Sequence, residues 1–239
     1  MDYGDNLLKS RILIIAPHSD DETYGCGGLI AKMKDKGGEV FCILVSIGTL
    51  SQYTVDGKKE IGSETREKEF EAVMKYLKID DWEILFKEKE KHLRLDAIPR
   101  RDLIRLLEEE SRLAINKIKP DIVALPSISY NQDHEAVFKA GFTACRPTIP
   151  GRWFVKTVLA YDSSPIFWSM EREKFHPNFY VDISDYLDKK LKAFGLHISQ
   201  LKPSPHHGSL ESIEHLARMR GREISAEAAE AYIALRLVL

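Results

Sequence analysis

Apolar positions along the chain alternate between two rhythms. Residues 11–17 form a short Ile-rich run bounded by polar positions, too short for a helix, and predict a buried parallel strand. Residues 24–36 predict a helix, closed by the Gly37-Gly38 pair, which can take the positive φ of a helix C-cap. Residues 39–46 are the next β-rich run, and residues 48–62 are polar and turn-rich. That second stretch predicts a mobile loop at one end of the sheet, long enough to act as a lid. Phe70, Val73, Met74 and Leu77 recur at i, i+3, i+4 and i+7, the stripe of an amphipathic helix over 64–77. Further strands are predicted at 82–86, 121–126 and 157–161, helices at 102–117 and 133–145, and an exposed loop over the charged stretch 87–100. Beyond Asp182 the pattern reads as helices only: Leu187, Leu191, Phe194 and Ile198 form one stripe, and 211–219 and 226–235 have helical composition.

This alternation predicts an α/β fold, a Rossmann-like doubly wound, mainly parallel sheet over 1–182 with a C-terminal helical segment over 183–239. All 239 residues are read as one domain. The segment 203–208, Pro-Ser-Pro-His-His-Gly, reads as an interhelical loop because too little chain follows it to build a second core.

Composition narrows the function. At 44% hydrophobic and 30% charged residues, the chain can bury a sizeable core under a mixed-sign surface. Its 35 Lys+Arg against 37 Asp+Glu give a net charge of −2, so nucleic acid is not an expected partner. The apolar run at 12–16 is too short for a signal segment or a membrane span, which predicts a cytoplasmic protein with no integral membrane segment. Cys26, Cys42 and Cys145 are odd in number and form no CxxC pair, and read as reduced packing residues. A homo-oligomer is compatible with such a chain, although no sequence feature fixes a subunit number.

The chemistry concentrates in two clusters. APHSDDET, residues 16–23, places one His and three consecutive acids where the first strand ends. Ligands of open α/β sheets bind outside the carboxyl ends of the strands at the topological switch point. His18 and Asp21, at i and i+3, can face a common ion there, with Asp20 close but free. NQDHEAV, residues 131–137, begins just past the strand DIVALP, so Asn131, Asp133 and His134 belong at another strand end. A strand order of 3-2-1-4-5 brings the two clusters together. Three protein ligands with an open fourth position signify a catalytic metal, and imidazole plus carboxylate suits Zn²⁺. Solvated loop acids and a satisfied histidine are the alternative.

PHSDDE at 17–22 resembles the [AP]-H-P-D-D-E motif of the LmbE-like, or PIG-L, family of zinc-dependent N-deacetylases. The Gly25, Gly27, Gly28 run, the Arg66, Glu69, Ala72 spacing in TREKEFEA, QDHEAV, HISQ at 197–200 and RGREISAEAAEAY near the end extend the likeness over almost the whole chain. The resemblance implies that His18, Asp21 and His134 hold Zn²⁺, that Asp20 is the general base, and that Arg66 is a substrate-binding candidate. It also implies a small-molecule N-acetylated sugar or glycoconjugate as substrate. Asn131 stands where the family often has histidine. Either its amide is a neutral oxyanion donor, or His197, His206 or His207 supplies the imidazole, in one reading from a neighbouring subunit. Asp133 is expected to orient a ligand or the substrate, and Ser19, at the usual proline, to add at most a hydrogen bond. His197 is equally a packed core histidine, Arg66 equally a solvated charge. His92, His176 and His215 are expected at the surface, and Trp82, Trp153 and Trp168 as packing residues. The glycines do not match G-x-G-x-x-G and are better explained by close helix packing. Two alternatives remain: hydrolysis of another acyl amide metabolite, or a non-catalytic metal- or ligand-binding module.

Overall fold

The protein is described by a computed structural model over residues 3–54, 57–163 and 175–238. A short helix α1 (Tyr3–Leu8) leads into β1 (Arg11–Ala16), α2 (Asp21–Lys36) and β2 (Glu39–Ser46). A hairpin, β3 (Leu50–Thr54) and β4 (Gly57–Ile61), precedes α3 (Ser63–Leu77) and β5 (Asp81–Phe86). Next come α4 (Arg100–Arg105), α5 (Ile115–Ile118), β6 (Ile122–Pro126), α6 (Gln132–Ala144) and β7 (Thr157–Tyr161). The chain closes with β8 (Phe179–Asp182), α7 (Leu187–Gly195), α8 (Leu210–Arg222) and β9 (Ala229–Leu237).

The central sheet runs β5-β2-β1-β6-β7-β9-β8. Its first five strands are parallel, and in chain order they read 3-2-1-4-5, the order that brings the two clusters together. β1, β6 and β7 are buried on both faces because helices cover each side. Ile12, Ile14 and Ala16 enter one core with α2, α3 and α7 residues, while Leu13 and Ile15 enter the other with α4 and α6 residues. The winding reverses between β1 and β6, and a crevice opens at their carboxyl ends.

Several expectations are corrected. Residues 48–62 are a hairpin rather than a loop: Leu50–Thr54 pairs antiparallel with Gly57–Ile61. Within 87–100, His92 and Leu95 are buried and a 3-10 turn spans Leu95–Ala97, so the charged stretch is not simply exposed. The 102–117 helix is broken. Glu83 accepts the backbone N–H groups of Arg112 and Leu113 at 3.1 and 2.8 Å, drawing the chain out of helical geometry after a π turn at Leu106–Glu110. The helices expected beyond Asp182 are present as α7 and α8, but 226–235 is not helical. Its Ala- and Glu-rich sequence favours helix locally, yet it forms β9, antiparallel to both β7 and β8. The C-terminal segment therefore contributes a strand to the sheet, and tertiary pairing has overridden propensity.

Close packing explains the glycine run. A Cβ on Gly25 would collide with Tyr161, and one on Gly28 would lie 2.6 Å from Ile183 Cγ2. Only a bare backbone lets α2 approach β7 and the segment before α7 so closely. The same helix is pinned by Glu230 of β9, which accepts Gly28 and Leu29 N–H at 2.8 Å each and pairs with the buried Lys190 of α7.

Candidate metal centre and active site

Where β1 ends, Pro17 to Asp20 turn the chain into α2. His18 N–H donates to Asp21 Oδ2 at 3.0 Å, and Tyr24 N–H donates to the Asp20 carbonyl at 2.8 Å, starting the helix. Asp20 pays for this turn with φ 126° and ψ −29°, a conformation side chains rarely adopt. Its own N–H donates to Glu22 Oε2 at 3.0 Å. Glu22 Oε1 lies 2.7 Å from His197 Nε2, and both side chains are fully buried.

At the end of β6, Asn131 caps α6, its Oδ1 accepting the N–H of Asp133 at 3.0 Å and of His134 at 3.3 Å. This cap is why Asp133 and His134 project from a first helical turn beside β1. The amide oxygen is thereby committed, and Nδ2 is the part of Asn131 left for other work.

The two strand ends bring His18, Asp21 and His134 together, one ligand atom from each lying within 4.8 Å of the others. Asp21 Oδ2 is 3.6 Å from His18 Nδ1 and 3.3 Å from His134 Nε2. A tetrahedral site with bonds of about 2.0–2.1 Å has edges of roughly 3.3–3.4 Å, so these residues fit such an ion. His18 Nε2 is 2.8 Å from Asp133 Oδ2, and Asp133 Oδ1 accepts Leu95 N–H at 2.8 Å. A carboxylate on the far nitrogen of a ligand histidine fixes its tautomer and raises its basicity. Burial alone would raise Asp21, but the charges of His134 and His18 hold it below the usual carboxylate range. Burial would likewise lower His134, and Asp21 instead raises it; a cation would take the place of that proton.

Asp20 stands beside this set without joining it. Burial, then the charges of Asp21 and Glu22, push its carboxyl up to about 7. Arg66 is also buried, and its Nη1 donates to the Gly48 carbonyl and to His92 Nε2 at 2.8 Å each. Its Nη2 donates to Ser19 Oγ at 3.2 Å. Burial and the Arg66 charge push His92 down to about 3, so its ring is neutral. Nε2 accepts from Arg66, leaving the Nδ1 proton for Ser46 Oγ at 3.1 Å. His92 packs edge-on against His18 with ring centroids 5.6 Å apart.

Of the residues singled out from sequence, His18, Ser19, Asp20, Asp21, Arg66, Asn131, Asp133, His134 and His197 all lie at this end of the sheet. Arg66 and Ser19 hydrogen-bond to each other, and Arg66 also to Gly48 and His92, bracing the loop that carries His18. His197 is a core histidine that touches the site through Glu22. His92 corrects the surface expectation, and its highly charged neighbours gave no periodic signal for burial. His176 and His215 are exposed. Trp82 packs against the core, Trp153 is 39% exposed, and Trp168 lies outside the described residues. Glu22 is a residue of this site that sequence reasoning missed, revealed only by its contacts with Asp20 N–H and His197. The three cysteines are free and buried. Among the described residues no helix is long and apolar enough to cross a membrane.

The chain is similar to known deacetylases. It is 28% identical over 210 residues to the diacetylchitobiose deacetylase of Thermococcus kodakarensis, covering 80% of this chain and 70% of that protein. It is 24% identical over 229 residues to a probable N-acetyl-alpha-D-glucosaminyl L-malate deacetylase 2 of Bacillus anthracis, covering 88% and 93%. The solved N,N'-diacetylchitobiose deacetylase of Pyrococcus horikoshii superposes with a TM-score of 0.71 at 21% identity, covering 99% of this chain and 88% of that one; that likeness speaks for the fold. The PIG-L model, described as GlcNAc-PI de-N-acetylase, matches residues 13–145, and these include every metal-ligand candidate of the buried centre: the chain belongs to the PIG-L family.

Proposed function

We propose that the protein is a zinc-dependent hydrolase that removes an acetyl group from an N-acetylated amino sugar or its conjugate, with Asp20 as general base. The observation that carries the reading is the convergence of His18, Asp21 and His134 with one carboxylate, Asp20, held beside them by strained backbone. Two imidazoles and one carboxylate suit Zn²⁺ and leave a coordination position open. The sugar substrate is supported by the named activities of the relatives.

When bound, the ion supplies a Lewis acid that acidifies water and polarises the amide carbonyl. Asp20 takes the proton from the attacking water as general base. It then returns that proton to the leaving amine. The Nδ2 group of Asn131 donates to the oxyanion, a contribution typically of about 10²- to 10³-fold in kcat. Asn131 cannot titrate, so the proton traffic falls to Asp20. Glu22, braced by His197, fixes the Asp20 backbone, and Asp133 fixes the His18 ring.

Acetate release from N-acetylated sugars, with and without chelator, tests the reaction. Asp20→Asn is expected to abolish turnover while keeping about one zinc per chain, whereas His134→Ala loses the metal. Equal metal loss in both variants would remove Asp20 from the role of base. Zinc binding without release of any acyl group would favour a binding module.

A further inference from the structure

Beside Asp20 lies a cavity of about 120 Å³ whose walls include Tyr24, Phe194, Gln200, Lys202, His206 and His207. Its volume is on the order of four water molecules, enough for the head of a carboxylate or phosphate. One wall is the 196–210 segment between α7 and α8, which contains one Lys and three His and no Asp or Glu. A local excess of cationic and N–H donor groups in a chain of net charge −2 calls for a reason.

The segment is held in place. Ser199 N–H and Oγ donate to the two oxygens of Glu69 at 2.9 and 2.6 Å, and Gln52 of the hairpin donates to the Ser199 carbonyl at 2.7 Å. At the far end Lys202 N–H donates to the Gly208 carbonyl at 3.3 Å. His206 Nδ1 accepts Gly208 N–H at 3.0 Å, which places the ring proton on Nε2 and makes that atom a donor.

Lys202 is half-buried and has no ion pair among the described residues, whereas Lys34, also half-buried, pairs with Asp80. Burial pushes its ammonium below the usual lysine range, against the pull of Asp20. A partly desolvated cation is stabilised when an anion reaches it, and Lys202 and Asp20 line the same cavity without forming an ion pair.

We propose that Lys202, together with His206 Nε2–H, forms a subsite for a carboxylate or phosphate carried by the acylated sugar hydrolysed at the metal centre. The inference rests on the hydrolase reading above and names its substrate class: an anionic conjugate rather than a neutral oligosaccharide. The anion occupies the cavity beside Asp20, and its charge is met by Lys202.

The test uses the zinc-loaded enzyme and four N-acetylglucosamine derivatives: the 1-phosphate, the 6-phosphate, the carboxymethyl glycoside and the neutral methyl glycoside. Wild type is expected to show higher kcat/KM on at least one anionic derivative than on the methyl glycoside. The identity of that derivative separates phosphate from carboxylate. Lys202→Met is expected to lower kcat/KM on it by about 10- to 100-fold more than on the methyl glycoside, the size of a lost charge-assisted hydrogen bond, with the change mostly in KM. Equal losses on charged and neutral derivatives, or a wild-type preference for the methyl glycoside, would overturn the subsite. A second readout is independent of turnover. Calorimetric binding of the deacetylated 1- and 6-phosphates and the carboxymethyl glycoside should weaken by the same factor in Lys202→Met. Binding insensitive to Lys202 would overturn the proposal even in a fully active enzyme. Lys202-dependent binding with no acyl release would uphold it while the hydrolase reading fails.

Discussion

Asp20 holds φ 126° and ψ −29° at the turn where its carbonyl starts α2 and its carboxylate stands beside the candidate ligands His18, Asp21 and His134. A side chain in a sparsely populated backbone region costs about 1–3 kcal/mol. Replacing it with glycine removes that strain and restores about 0.5–1 kcal/mol of unfolded-state entropy cost. The net gain expected for Asp20→Gly over Asp20→Ala is therefore centred on about 1 kcal/mol, with about 2.5 kcal/mol as its upper bound, since alanine keeps the Cβ and the strain but lacks the carboxylate. For a chain of this size the central value corresponds to a melting temperature higher by roughly 2–4 °C. Both variants also lose the repulsion between Asp20 and its neighbours Asp21 and Glu22, which adds in the same direction relative to wild type. Urea unfolding in the presence of chelator isolates the effect from metal binding, with midpoints compared at equal slope. Neither variant should release acetate. If Asp20→Ala proves as stable as Asp20→Gly, the backbone is not strained and the turn is not the site of a stability–activity trade-off.

Asp133→Asn should keep an acceptor for Leu95 N–H while removing the charge beside His18. Metal affinity should then fall by about 10- to 100-fold, measured by competition with a chelating dye; unchanged affinity would mean that Asp133 does not tune the ligand. Lys190→Met should destabilise the protein by about 3 kcal/mol, because Glu230 stays buried at 4% exposure with only N–H and O–H donors to hold its charge. Adding Glu230→Gln should recover part of that loss in urea unfolding, and a single-variant loss below about 1 kcal/mol would refute the ion pair as a fastener of α2 to β9.

The candidate metal set was legible because every part of it obeys a local rule. A run of apolar residues ends, acids and a histidine follow, and the strand-end rule of open sheets sends both clusters to one crevice. Glu22 belonged to the recognised motif, yet nothing local shows its carboxylate bridging Asp20 N–H and His197. His92 was hidden for a different reason. Its burial depends on Arg66 and Ser46, which lie 26 and 46 residues away in sequence, and its own neighbours are Lys, Glu and Arg.

Hydrophobic spacing by itself determined the parallel strands and the helices α2, α3 and α6, and the ends of the apolar runs located the two clusters that meet as His18, Asp21 and His134 once the sheet takes the order 3-2-1-4-5. These follow from periodicity and from where apolar runs stop, which are properties of short stretches of chain. The tertiary structure alone decided that residues 226–235 pair as β9 instead of coiling, that Glu83 breaks the 102–117 helix, and that Lys202 faces Asp20 across a cavity. Each of these outcomes is set by partners distant in sequence, whose hydrogen bonds and burial outweigh the few tenths of a kcal/mol per residue of local preference.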